Sequence, residues 1–248
     1  LPNFGDRLSL PQARNVAGLL RQAMNKSQPH PLEWRTGDVP VSRQFDDPFF
    51  SLDNGLAETT YVFLSGNDLP ERFCDGFHIA ELGFGTGLNF LASLAAFRAT
   101  KTAGVLHFTS FEAFPLQSDD LTRAWGAHRA NLPADACAAL TQTANLPPQI
   151  IGPDYVLQLF FGDARMTLPQ WDGVADAWFL DGFSPAKNPE LWEDDLMQAV
   201  AEHTKQGGTC ATYTAAGAVR RALECAGFSI TRAQGFGRKR HMTKGRKN

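Results

Sequence analysis

At 248 residues and 43% hydrophobic content, the chain is long enough to bury a full core as one large domain, or one domain with a small appendage. No apolar run approaches a membrane span and no signal peptide with a cleavage site is present. The net charge is −3; Cys74, Cys137, Cys210 and Cys225 lie far apart without C-x-x-C pairing, and the six histidines lack ligand spacing, so reduced thiols, a cytoplasmic location and no metal are expected.

The chain begins at Leu1 rather than Met, which reads as a fragment, a processed chain or an excised piece. Residues 1–31 read as a helical appendage: PQARNVAGLLRQAM has helical spacing, and KSQPHP after it has the composition of a linker. Residues 32–76 form a mixed extension expected to pack on the core, with VPVSRQF extended and SLDNGLAETTYVFLSGN a capped helix ending near Gly66. From Phe77 the pattern becomes regular, and residues 77–248 are expected to form the core. FHIAEL predicts a strand, TGLNFLASLAAF a helix and VLHFTSF a second strand; residues 113–150 read as a long, mostly helical connection. VLQLFF, ADAWFL and GTCATYT are further strands, with PELWEDDLMQAVAEH a helix between the last two that carries Pro189 near its start. AGAVRRALECAG predicts a helix closed by Gly227, and FSITRAQ a strand. Strands alternating with helices indicate an α/β domain with a largely parallel sheet, and apolar strands such as VLQLFF suit a sheet covered on both faces. From residue 231 onward there are seven Lys/Arg and no Asp or Glu, leaving 16 basic residues against 26 acidic ones in the remainder. On charge alone this ending reads as a solvated tail, with contact to a polyanion as the competing reading.

The first strand runs into Glu81-Leu82-Gly83-Phe84-Gly85-Thr86-Gly87-Leu88-Asn89, an E-x-G-x-G-x-G run between strand and helix. Glycines here permit a tight turn and close approach of a ligand, and the helix N-terminus offers unpaired N–H groups. The dinucleotide fingerprint G-x-G-x-x-G fails, because its third glycine falls at Leu88 or at Phe90. The run resembles instead the S-adenosylmethionine loop of class I methyltransferases, a Rossmann-like fold with a largely parallel seven-stranded sheet and helices on both faces. That resemblance implies S-adenosylmethionine as cofactor, held by Glu81 near its methionine end and by the loop residues Gly83, Gly85, Thr86, Gly87 and Asn89. Glu112, ending the second strand, is placed to accept the ribose hydroxyl hydrogens, and Asp163, after the third, to accept the adenine amino hydrogen. Each acid alone reads equally as a helix cap or surface carboxylate; their order along the chain carries the resemblance.

FLDGFSPAKNPELW ends the fourth strand at Asp181, followed by Gly182 and a loop stiffened by Pro185 and Pro189. In class I methyltransferases this strand end faces both the cofactor and the acceptor. An amine acceptor is largely protonated near neutral pH, and a carboxylate there, as a base or as a positioner, holds the ammonium and takes or relays its proton. Asp181-Gly182-Phe183-Ser184-Pro185 departs from the Asp/Asn-Pro-Pro-aromatic run of enzymes acting on base amines, which favours an aliphatic amine.

Taken together, DAWFLDGFSPAKNPELW, ELGFGTGLNF, PVSRQFDDPFFSLDNGLAETTYVFL, FTSFEAFPL and GFGRKRHM resemble one family, the methyltransferase module of the tRNA wobble-uridine modification enzymes of the MnmC/MnmD type, across roughly Leu32 to Met242. The resemblance implies methylation of the primary amine of 5-aminomethyl-2-thiouridine in tRNA, with an FAD-dependent oxidoreductase fused or acting in trans to make that amine. In that context Asp53, Asn54 and Gly55 shape the pocket wall or form an N-cap and turn, and Phe49, Phe50 and Phe183 stack on a flipped-out uridine or pack in the core. Lys187 and Asn188 contact substrate or fix the loop, and Arg238, Lys239 and Arg240 contact phosphate. Two other readings compete. A small-molecule amine methyltransferase needs no basic ending and tolerates high salt, and a non-catalytic S-adenosylmethionine- or RNA-binding module tolerates Asp181→Asn.

Overall fold

The computed structural model describes residues 31–51 and 54–248, so the expected appendage (all but its last residue) and Asp53 lie outside the described residues. An antiparallel sheet of three short strands opens the structure: β1 (Leu32–Arg35), β2 (Val39–Ser42) and β3 (Asp47–Pro48), with β2 buried along its whole length. Helix α1 (Gly55–Glu58) follows, capped by Asn54, whose side chain accepts the Ala57 N–H. It runs on as a wider π-helical turn (Thr59–Leu64) and a 3₁₀ turn (Ser65–Asn67). The expected single helix is thus present but changes pitch twice.

Among the described residues the main sheet holds eight strands. The chain traces β4 (His78–Leu82), helix α2 (Leu88–Thr100), β5 (Leu106–Glu112), helices α3 (Ser118–Ala124) and α4 (Ala134–Leu140), a short β6 (Gln149–Ile151) and β7 (Tyr155–Phe161). It continues through α5 (Ala164–Thr167), β8 (Ala175–Leu180), α6 (Asp194–Glu202), β9 (Thr204–Thr212), α7 (Gly217–Cys225), β10 (Phe228–Gln234) and β11 (His241–Lys247). The strand order is β10-β11-β9-β8-β4-β5-β7-β6. The pairs β4–β5, β4–β8, β5–β7 and β8–β9 are parallel, and β6, β10 and β11 pair antiparallel with their neighbours. This is the expected Rossmann-like arrangement with an extra edge strand, β6, lying inside the connection expected to be mostly helical.

Both faces of the sheet are covered, which explains the continuous apolar runs. Along β8, Ala177 and Phe179 join one core cluster, while Trp178 and Leu180 join the other. Val62, Phe63, Leu64, Leu69 and Phe73 belong to the first cluster, so the segment before β4 shares the core of the sheet. The expected helix at Pro189 is split: Pro189–Trp192 is a 3₁₀ turn, and α6 begins only at Asp194.

The largest departure from the sequence reading is at the basic end. His241–Lys247 is not a tail but a strand inserted between β9 and β10. Gly245 makes the insertion possible, since a Cβ there would lie 2.6 Å from Cys210 Sγ and 2.7 Å from Ile230. Lys244 and Arg246 are held by Asp68, at 3.2 and 2.8 Å.

Candidate functional site

In a doubly wound sheet the ligand crevice opens where successive crossovers run in opposite directions. Here that point lies between β4 and β8, adjacent parallel strands with Leu82 opposite Leu180. The chain leaves β4 toward β5 and leaves β8 toward β9, so the loops after both strands splay apart over a cleft of about 440 Å³. That volume lies in the range of small-molecule sites, roughly 300–1,000 Å³.

The glycine loop forms one wall. Gly83, Gly85 and Gly87 all have positive φ, at 89°, 53° and 70°. Gly83 is the most constrained: a Cβ there would lie 2.2 Å from the backbone oxygen of Asp181, so glycine alone lets the two strand ends close together. A Cβ at Gly85 would meet the Phe49 ring at 3.1 Å. Glu112 pins this loop from β5: its two carboxylate oxygens accept the N–H groups of Gly85 (2.8 Å) and Phe114 (2.6 Å), while burial raises its proton affinity. Trp125 adds a second tether by donating its indole N–H to the Thr86 carbonyl at 2.8 Å.

Two carboxylates meet on one amide at the floor. Asn89, in the first turn of α2, donates from Nδ2 to Glu81 (2.8 Å) and to Asp181 (2.6 Å), and its Oδ1 accepts the Thr59 hydroxyl at 2.9 Å. Glu81 is fully buried and also accepts the Ser110 hydroxyl at 2.7 Å. Burial, then the charge of Asp181, pushes its carboxyl well above the ordinary range. Asp181 is pushed up to about 7, first by burial and then by Glu58, against the opposing pull of Asn89 and Lys239.

Aromatic rings form the opposite wall. Phe183 stacks on Phe45 at 4.7 Å and meets Phe49 edge-on at 5.1 Å, and Phe45 meets Phe114 at 5.6 Å. Asp47 of β3 accepts the Ser184 N–H at 2.8 Å, locking the small sheet onto the loop after β8.

Of the residues anticipated from sequence, Gly83, Gly85, Thr86, Asn89, Glu112, Asp181, Phe183, Asn188, Arg238 and Lys239 line the cleft. Glu81 and Gly87 do not line it; Glu81 reaches it through Asn89, and Gly87 lies against the Phe84 ring. Asp163 caps α5 and pairs with Arg165 at 2.7 Å, and it is the neighbouring Gly162 and Ala164 that line the cleft. Lys187 turns away from the cleft toward the small sheet, donating to the Asp46 carbonyl and lying 3.6 Å from Asp47. Arg240 is exposed outside the cleft. Among the described residues, no group of three or more His, Cys, Asp or Glu is placed to hold a metal.

Sequence reasoning missed Glu58 and Tyr213. Glu58 Oε1 accepts from Lys239 at 2.8 Å, and Oε2 accepts the Ser51 N–H at 2.9 Å. Tyr213 donates its hydroxyl to the Gly182 carbonyl at 2.7 Å. It immediately follows β9, a strand-end position that was a usable signal; Glu58, inside a helix far upstream, offered none.

The acceptors that line the cleft suit an elongated ligand with a cationic end at Asp181 and hydroxyl groups near Glu112, while Glu81, buried behind Asn89, positions that amide. The glycine cradle leaves room for its backbone-hugging middle. Residues 138–248 match the model of a family described as S-adenosyl-L-methionine-dependent methyltransferase. Over 86% of its length the chain is 47% identical to the tRNA 5-methylaminomethyl-2-thiouridine biosynthesis bifunctional protein MnmC of Vibrio cholerae, covering 34% of that protein. It is 44% identical to the Aeromonas hydrophila protein of the same name, with 86% of this chain and 35% of the relative covered. The chain thus spans about a third of the length of the curated relatives it matches. The crystal structure of MNMC2 from Aquifex aeolicus shares the fold at a TM-score of 0.67 and 23% identity, over 97% of this chain and 78% of that one. The chain thus matches the S-adenosyl-L-methionine-dependent methyltransferase family over residues 138–248 and is similar, over most of its length, to about a third of these MnmC proteins.

Proposed function

We propose that the chain transfers a methyl group from S-adenosylmethionine to the primary amine of 5-aminomethyl-2-thiouridine at the tRNA wobble position, giving 5-methylaminomethyl-2-thiouridine. The observation that carries this reading is the carboxylate of Asp181, set at the switch point with its proton affinity raised to about 7. A group so poised suits proton removal from an amine near neutral pH. The names of the relatives at 47% and 44% identity favour this acceptor over a small-molecule amine.

Glu81, Asp181 and Asn89 would hold the methionine end of the cofactor, Glu112 the ribose, and the Gly83–Gly87 loop the span between them. When bound, S-adenosylmethionine supplies an electrophilic methyl on a sulfonium. The chain itself aligns the amine and takes its proton on Asp181 as the nitrogen becomes nucleophilic. Phe183, Phe45 and Phe49 exclude water and offer ring faces to an unstacked base. Exposed Arg238, which lines the cleft, and exposed Arg240 two residues on would contact the phosphate backbone of the tRNA. The same reading gives the protein a cytoplasmic location and an FAD-dependent oxidoreductase partner, fused or in trans, that makes the amine.

Methyl-labelled S-adenosylmethionine tests the proposal. Label should enter tRNA carrying 5-aminomethyl-2-thiouridine and not the same tRNA with unmodified uridine. Equal incorporation into both would refute the acceptor assignment.

A further inference from the structure

One ammonium group already sits in the cleft. Lys239 Nζ lies 2.8 Å from Glu58 Oε1 and 3.9 Å from the centroid of the Tyr213 ring. A carboxylate and an aromatic face converging on one cation is the chemistry by which alkylammonium ligands are recognised. The cage is fixed by contacts that do not involve the lysine. The second oxygen of Glu58 accepts the Ser51 N–H, and Tyr213 is anchored through its hydroxyl to Gly182, next to Asp181. The Glu58 side chain is 10% exposed, whereas that of Lys239 is 44% exposed. The carboxylate of the cage is therefore buried and its ring half-buried, while its occupant enters from the turn between β10 and β11. That turn is closed independently by the Gly235 N–H, which donates to the Arg240 carbonyl at 3.1 Å. Only the lysine end of the pair is open to solvent, so an incoming ammonium reaches the cage from that side.

We propose that Glu58 and Tyr213 form the ammonium-recognition subsite for the acceptor amine, and that Lys239 occupies it until the substrate's aminomethyl group displaces it. The proposal rests on the amine-methyltransferase reading above and adds residues to it. It also gives a source of specificity: a neutral uridine has no charge with which to replace the lysine, and the cage stays shut to it.

The probe is n-butylammonium chloride, a primary aliphatic ammonium, titrated by saturation-transfer NMR into the full chain and its variants. Lys239→Met should bind it about tenfold or more tightly than the wild type, and Lys239→Met/Glu58→Gln should lose that gain. Equal binding by wild type and Lys239→Met, or retained binding by the double variant, overturns the proposal. On tRNA carrying 5-aminomethyl-2-thiouridine, Glu58→Gln should raise KM about tenfold and shift the pH–rate midpoint downward, because Glu58 is one of the charges holding Asp181 up. An unchanged KM overturns it as well. Melting temperature and S-adenosylmethionine affinity report folding of each variant. If the wild type methylates no such tRNA, the functional reading falls, while the butylammonium titration still decides the cage.

Discussion

Asn89 spends both N–H groups of its amide on carboxylates, one to Glu81 and one to Asp181, and so holds two acids side by side at the floor of the cleft. This arrangement gives Asp181→Asn a double signature. Removing the proton acceptor should lower kcat by roughly 10²–10⁴ with S-adenosylmethionine affinity changed little, measured by single turnover and by calorimetry. Stability should move the other way. The folded-state proton affinity of Asp181 is raised to about 7, so its contribution to stability is full below the unfolded pKa and is lost as pH rises through the folded one. Asparagine carries no such loss, so the variant should melt higher than wild type at about pH 8, the gap closing toward about pH 5. In the wild type, kcat/KM should rise with pH through a midpoint near 7, where Asp181 loses its proton; a profile flat from about pH 6 to 8 would remove it as the proton acceptor. Asp181, Glu81 and Glu112 were legible because strand ends in an alternating β/α pattern announce themselves. Tyr213, just after β9, carried the same strand-end signal and went unread; Glu58 carried none, because only the fold brings a residue of α1 against the end of β9.

The glycine loop shows how an element sets the site. Its positive φ angles were implied by E-x-G-x-G-x-G, but the reason differs at each position. Gly83 gives way to backbone, the carbonyl of Asp181, which has no rotamer to retreat into. Gly83→Ala should therefore cost about 3 kcal/mol by overpacking and left-handed strain, read by denaturant unfolding, and should displace Asp181. Gly85 faces the cleft and the movable ring of Phe49. Gly85→Val should fold yet lose S-adenosylmethionine binding; retained affinity would mean the loop is not the cofactor cradle. The strand β11 marks where element reading stopped. HMTKGRK has too much charge for a strand by composition, yet its Met242, Thr243 and Gly245 are buried, and its charges are carried outward to Asp68 and to solvent. No alternation visible in the sequence gave this away, because glycine stands where the buried side chain would be.

For the whole molecule, the basic ending divides into two populations. Lys239, Lys244 and Arg246 are spent on ion pairs with Glu58 and Asp68, and Lys247 on the Ala226 carbonyl, whereas Arg232, Arg238 and Arg240 are exposed without an ion-pair partner among the described residues. The positive surface offered to a polyanion is therefore local, on a body whose other residues are acidic in sum. Binding of tRNA should weaken steeply with salt, and Arg240→Ala should reduce the slope of log K against log salt by about 1 without changing S-adenosylmethionine affinity. The small sheet β1–β3, the glycine loop and the loop after β8 converge on one cleft, and the account stands or falls on what is methylated there. Nucleoside mass spectrometry on tRNA bearing 5-aminomethyl-2-thiouridine, after incubation with the protein and S-adenosylmethionine, is the most direct measurement. The account predicts a gain of one methyl at that nucleoside with the wild type and none with Asp181→Asn. No gain from a wild-type protein shown separately to bind S-adenosylmethionine would contradict it.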